Sequence, residues 1–351
     1  MNFLKPAFLL PLSVLTFCFV PQAESYAKSA VFSKNIVAVK QVSKQLTDSE
    51  KNPEVWFDQG YELGQQGLYE EEIVSYDRAL ALDPKFHDAW IYRGIAFGNL
   101  DKHQEELDSY NQALSLQPNN GDTWFNRALT LENLERFEEA IASYDQAVDL
   151  NPDDHEAWHN RGIILGTLGR YAEEVASYDR AIALKPENES DIWYNRGVAL
   201  GDLGERKAEI DSYDKALVLN LENQDAWYNR GVALGILGRY EEEVASYDQA
   251  VALNPDDQDA WYNRGIALND LDRHNEAIAS FDEALRVNPI KDEALYNKAI
   301  AYLNLNQTEA ALDILAAAIE MNDINRTEAI DDPSFSEISQ NPRFKALLEA
   351  N

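Results

Sequence analysis

Large apolar residues return along the chain at a fixed distance, and the small and polar positions between them return with them. Tryptophan stands at 56, 90, 124, 158, 193, 227 and 261, and Leu295 continues the series. The spacing is 34 residues except for the step from Trp158 to Trp193, which is 35. Glycine recurs four residues after the tryptophan at Gly60, Gly94, Gly162, Gly197, Gly231 and Gly265. Tyrosine or phenylalanine follows twenty after it (Tyr76, Tyr110, Tyr144, Tyr178, Tyr213, Tyr247, Phe281), and alanine three later still. Proline precedes the Trp or Leu by six residues at Pro84, Pro118, Pro152, Pro255 and Pro289, with Leu221 as the exception. Each period predicts two helices, such as Ala157–Leu168 and Tyr171–Leu184, with Gly169 at the turn and Pro186 beyond the end. Gly and Ala let the two helices approach closely, while Trp and Tyr fill the space between them. The extra residue falls in the loop after Pro186, where an insertion costs little.

This combination of Trp, Gly, Tyr, Ala and Pro resembles the tetratricopeptide repeat family. Numbering each repeat so that the tryptophan is its fourth position, repeat 1 is 53–86 and repeat 8 is 292–325. The resemblance implies an all-α fold: a right-handed superhelical solenoid of antiparallel helix pairs, each pair burying its apolar face against its neighbours. Residues 28–52 are expected to be a linker and capping helix, with apolar positions at Ile36, Val37, Val39, Val42 and Leu46. Residues 326–351 leave the period and end on Phe344, Leu347 and Leu348, as expected of a C-terminal cap.

The first 27 residues read differently. Lys5 is followed by an uncharged, Leu- and Phe-rich stretch from Pro6 to Val20, too short to span a bilayer, and then by small residues at Ala23, Ser25 and Ala27. A signal peptide cleaved near Ala23 or Ala27 is expected, which makes the protein exported: periplasmic, at the cell surface or secreted. The alternative is lipid anchoring through Cys18, although Phe17 is bulky for a residue preceding an acylated cysteine.

Composition narrows the function. The chain of 351 residues carries 30 Lys and Arg against 62 Asp and Glu, a formal net charge of −32. Phosphate backbones and anionic lipid surfaces need clustered cations, so no nucleic acid partner is expected and no membrane span. Cys18 is the single cysteine, which leaves no internal disulfide and no cysteine zinc site. His155-Glu156-Ala157-Trp158-His159 matches the H-E-x-x-H pattern of zinc proteases. Every residue in it also has a place in the repeat: position 2 is acidic in all eight units, and positions 3 and 4 are the usual Ala and Trp. His155 and His159 are therefore expected to be a surface pair. With no phosphate-binding loop and no nucleophile elbow, neither an enzyme nor a cofactor is expected.

The candidate chemistry lies on the first helices. Position 6 is Asn in six successive repeats (Asn126, Asn160, Asn195, Asn229, Asn263, Asn297), and position 5 beside it is mostly Tyr or Phe, including Tyr194, Tyr228 and Tyr262. Asn is a poor helix former, so its repetition asks for a reason. In the family, position 6 faces the concave groove, and the row is similar to asparagine rows in O-GlcNAc transferase and importin-type solenoids that grip the backbone of an extended peptide. The resemblance thus implies a protein partner, an extended neutral or basic segment, because position 2 is acidic. The Lys and Arg clamp by which other members capture acidic termini is absent. A structural alternative stands beside this: a rigid spacer or homo-oligomer subunit in which the Asn row only joins neighbouring helices.

Two internal contacts are expected as well. Arg or Lys at position 7 should pair with Asp at position 25 of the preceding repeat, since that register matches more junctions than pairing within a repeat. Glu at position 20 (Glu72, Glu106, Glu174, Glu209, Glu243) accompanies Gly at position 8, and its stem is expected to lie over that glycine with the carboxylate in solvent.

Overall fold

The computed structural model describes residues 51–184 and 189–349. The signal peptide, Cys18, the capping segment before Lys51 and the loop around Pro186 lie outside the described residues. The chain divides into two compact units at Arg93 and Gly94.

The first unit holds α1 (Pro53–Gln65), α2 (Tyr69–Leu82) and the start of α3 (His87–Gly98). The second continues through α4 (His103–Leu116), α5 (Gly121–Asn133), α6 (Phe137–Leu150), α7 (His155–Thr167) and α8 (Tyr171–Leu184). Then come α9 (Ser190–Asp202), α10 (Arg206–Leu219), α11 (Gln224–Ile236), α12 (Tyr240–Leu253), α13 (Gln258–Asp270), α14 (His274–Val287), α15 (Asp292–Asn304) and α16 (Thr308–Met321). Among the described residues there is no strand. Each odd-numbered helix up to α15 opens a repeat at the residue the sequence numbering assigns. Helices of 12 to 14 residues are marginal alone, so these are held by packing into an all-α solenoid of helix pairs.

One local device makes every turn within a repeat. Position 15 has a positive φ in all eight: Gly67, Asp101, Glu135, Gly169, Gly204, Gly238, Asp272 and Asn306. In repeat 4, Gly169 N–H donates to the Gly166 carbonyl and Arg170 N–H to the Leu165 carbonyl, both at 2.9 Å, which satisfies carbonyls at the helix end.

Within each pair the helices run antiparallel, and the residues that face each other show it. In repeat 6 a methyl added to Gly231 at position 8 would stand 2.7 Å from the ring of Tyr247 at position 24. A methyl on Gly235 at position 12 would stand 2.7 Å from the carboxyl carbon of Glu243 at position 20. Moving forward on one helix moves backward on the other. This corrects the expected place of the glutamate, because the tyrosine ring, not the Glu stem, covers Gly at position 8. Glu72, Glu106, Glu174, Glu209 and Glu243 are buried rather than solvent-reaching.

The carboxylate and the tyrosine form a unit. In repeat 3 position 12 is Glu132 and position 20 is Ala140, and there the Tyr144 hydroxyl donates to Glu132 from the other helix. Repeat 7 has Phe281 in place of Tyr, and neither Asn269 nor Ala277 supplies a carboxylate. Each repeat with a tyrosine at position 24 thus carries a carboxylate at position 12 or 20, and the repeat with a phenylalanine there does not. Burial raises the carboxyls of Glu72, Glu132 and Glu209 above their usual range. Burial, with Asp202 adding repulsion against the Tyr178 hydrogen bond, takes Glu174 to about 7. Burial and then repulsion from Asp270 take Glu243 to about 8.

Successive repeats are tied at two places. The Trp indole N–H donates to the carbonyl of the residue six before it, as from Trp124 to Pro118 at 2.8 Å and Trp261 to Pro255 at 2.9 Å. Leu221 serves Trp227 equally at 3.0 Å, because the acceptor is backbone and the side chain there is immaterial. The second tie is the expected register of position 7. Arg161, Arg196, Arg230 and Arg264 donate through Nε to Asp145, Asp179, Asp214 and Asp248 of the preceding repeat at 2.6–2.7 Å. Arg127 meets Asn111 in the same way. The guanidinium also donates through Nη1 to a serine on the second helix of its own repeat, for example Arg230 to Ser246 at 2.7 Å. Lys298 pairs with Asp282, and position 23 of its repeat is Ile314 in place of Ser.

The C-terminal segment closes the array with α17 (Ile324–Asp331), a 3₁₀ turn at Pro333–Ile338 and α18 (Pro342–Glu349). Phe335 and Phe344 stack at 5.6 Å and join the core of Leu295, Leu312 and Leu315.

Candidate functional site

Positions 2, 5, 6 and 9 of a first helix recur at intervals that place them on one stripe. In repeats 3 to 8 that stripe is neither core nor bare surface. In repeats 3 to 7 the residues at position 5 pack edge or tilted against the buried ring at position 24, as Tyr194 on Tyr213 at 5.9 Å and Tyr228 on Tyr247 at 5.8 Å. Their hydroxyls accept from the Asn at position 6 of the next repeat. Asn229 donates to Tyr194 at 3.1 Å, Asn263 to Tyr228 at 3.0 Å and Asn297 to Tyr262 at 3.1 Å. In repeat 4 His159 takes the place of the tyrosine, with Asn195 3.3 Å from its Nε2. At the end of the array Tyr296 donates to Asp332 of the cap at 2.9 Å, so the cap imitates one more repeat. Asn126 and Asn160 are half-buried on the same stripe, and Phe125, the position 5 residue in register with Asn160, has no hydroxyl.

From Asn195 to Asn297 the Asn row therefore joins first helices, which sequence alone left open. Each amide bonded to a tyrosine also carries a carbonyl oxygen and a second N–H, and on Asn297 that N–H donates to the Glu293 carbonyl at 2.9 Å. Burial and then the position 2 carboxylate of the following repeat push the phenols of Tyr194, Tyr228 and Tyr262 up to about 12.

Position 9 was missed in the sequence. It is apolar in every repeat, which reads as core, yet Ile163 is 42% and Val198 36% exposed, and Leu129, Val232, Ile266 and Ile300 are partly so. The signal was present as a third row one turn from Tyr and Asn. Together the stripe offers carboxylate, ring, amide and aliphatic side chain in sequence along each helix.

His155 and His159 are correspondingly not a surface pair. His155 lies 3.1 Å from Glu189, while His159 is half-buried with its ring 5.8 Å from that of Tyr178. Burial lowers the His159 pKa. Among the described residues no group of three or more His, Cys, Asp or Glu is placed to hold a metal ion. Among them no helix is long and apolar enough to cross a membrane.

Models of the tetratricopeptide repeat match residues 50–121, 125–189, 190–223, 259–290 and 280–313, and a TPR repeat model matches 236–272. The chain belongs to the tetratricopeptide repeat family. No curated protein matches the sequence. The C-terminal part of a TPR repeat-containing protein from Cytophaga hutchinsonii is similar in fold, with 15% identity, a TM-score of 0.58, and cover of 69% of this chain and 98% of that one. YrrB, described as a TPR protein with an unusual peptide-binding site, is 23% identical with a TM-score of 0.50, covering 55% of this chain and 98% of its own. Membership places the protein among scaffold-type repeat proteins of protein–protein interaction.

Proposed function

We propose that this tetratricopeptide protein is an exported scaffold that holds an extended, neutral or basic protein segment along the first helices of repeats 3 to 8. The observation that carries the reading is the stripe itself. Apolar side chains at position 9 stay exposed or partly exposed beside Tyr and Asn that are hydrogen-bonded from repeat to repeat, so the surface is preorganised as well as partly apolar. Asn can match both polar groups of a peptide unit without reading its side chain. The acidic second position favours Lys or Arg in the ligand. The likeness to YrrB supports a peptide as the kind of ligand. Export rests on the charged, apolar and small-residue order of the first 27 residues, and the mass of the mature protein from its host tests it.

The spacer or assembly role is the second reading, favoured by the Asn amides bonding within the array. Two variants separate the two. Replacing Asn195, Asn229 and Asn263 by Ala removes inter-repeat bonds, while replacing Val198, Val232 and Ile266 by Gln leaves them in place. Titration with short unstructured peptides, neutral and basic, should show weaker binding in both variants and a lower melting temperature in the first alone. Binding retained in both would dismiss the stripe, and a stability loss alone would favour the spacer.

A further inference from the structure

A cation is already seated on the stripe. Lys291, in the loop that leads into α15, places its ammonium 2.8 Å from Asp259 at position 2 of repeat 7. The same ammonium stands 4.8 Å from the ring centroid of Tyr262 at position 5. The two partners are one helical turn apart on α13, and the Lys side chain is largely enclosed, 15% exposed. A carboxylate and a ring face arranged around an ammonium supply both charge pairing and cation–π attraction.

Repeats 5 and 6 carry the same pair, Asp191 with Tyr194 and Asp225 with Tyr228. Their rings are held in place by the packing and Asn bonds described above. The residue corresponding to Lys291 is Asn223 in repeat 5 and Asp257 in repeat 6, and each turns its side chain to cap the next helix. Asn223 accepts from Ala226 N–H at 2.9 Å, and Asp257 from Asp259 and Ala260 N–H at 3.0 and 2.9 Å. Neither brings a positive charge. Asp191 and Asp225 are exposed, and Asp257 adds a further carboxylate beside Tyr228.

We propose that Asp191 with Tyr194, and Asp225 with Tyr228, are two cation subsites one repeat apart, each taking a Lys or Arg side chain of the bound protein segment. Lys291 is the built-in occupant of the third. The proposal rests on the stripe being a protein-binding face, and it adds which side chains of the partner are read and where. A partner with Lys or Arg spaced to reach adjacent repeats fits both subsites at once. A second consequence follows: Lys291 blocks a site that would otherwise extend the series.

The test uses the full chain and three labelled, unstructured peptides of equal length, one bearing spaced Lys, one in which Gln replaces each Lys, and one in which Glu does. Fluorescence anisotropy at physiological salt reads the affinities. Asp191→Asn with Asp225→Asn should weaken the Lys peptide by about tenfold and leave the Gln peptide unchanged. Lys291→Gln should strengthen the Lys peptide, by about threefold, because it frees Asp259 and Tyr262. As a control, Glu138→Gln with Glu241→Gln removes two carboxylates from second helices. An equal loss there would overturn the proposal, since attraction would come from net charge alone. Lys and Gln peptides binding equally would overturn the subsites while leaving the protein-binding face standing. Binding of none of the three would overturn both.

Discussion

Exchanging the two halves of one buried polar unit gives a test of its energetics with a definite sign. Repeat 3 supplies its carboxylate from α5 as Glu132, opposite Ala140, whereas repeats 4, 5 and 6 supply it from the second helix opposite Gly. Ala140→Glu alone sets a second carboxylate against Glu132, and either the pair repels or one stays protonated. At about 4 Å and an effective dielectric near 20 that repulsion is about 4 kcal/mol. Glu132→Gly alone leaves the Tyr144 hydroxyl, on a side chain with no exposed surface, without its acceptor. That costs about 1–3 kcal/mol, with about 1 kcal/mol more for Gly inside a helix. The double variant recreates the arrangement of the other repeats and should return to within about 2 kcal/mol of the parent, and adding Ala128→Gly should close the remainder. A repeat array does not unfold as one unit, so the readout is hydrogen exchange of amides in Gly121–Asn133 and Phe137–Leu150, beside the melting curve. Single effects that simply add, to within about 0.5 kcal/mol, would refute the carboxylate–tyrosine unit.

Three further outcomes follow from the same packing. Glu174 at about 7 and Glu243 at about 8 bind protons more tightly folded than unfolded, whose value is near 4.5, so their contribution is full below about pH 4.5 and is lost as pH rises through 7 to 8. Melting temperature should therefore climb from pH 8 to about pH 5, and Glu174→Gln with Glu243→Gln should flatten that slope; parallel curves for parent and variant would contradict it. Arg230→Lys keeps the Asp214 pair but drops the bond to Ser246, as Lys298 does natively, and should cost about 1 kcal/mol in chemical denaturation. Glu135 holds φ at 57°, so Glu135→Gly should stabilise repeat 3 by about 1 kcal/mol, seen as slower local exchange, whereas Gly204→Ala at φ 77° should do the reverse in repeat 5.

The order of large, small and polar residues determined the elements of this protein by itself. A period of 34 with Trp, Gly, Tyr and Ala at set places specifies two short helices per unit, because each has a single apolar face and can bury it only against its neighbours. The Arg–Asp register was legible too, since counting matches over many junctions separates two alternatives that one junction would not. Which residues meet across the antiparallel pair was decided in three dimensions. Positions 8 and 12 are one turn apart and equally glycine, so only the relative placement of the helices assigns Tyr247 to Gly231 and Glu243 to Gly235. The same holds for the stripe. Ile163 and Val198 read as core from their character, but in the stacked array they stay exposed. The partner of Asn229 was likewise hidden, because Tyr194 stands 35 residues earlier and reaches it only after the repeats have stacked.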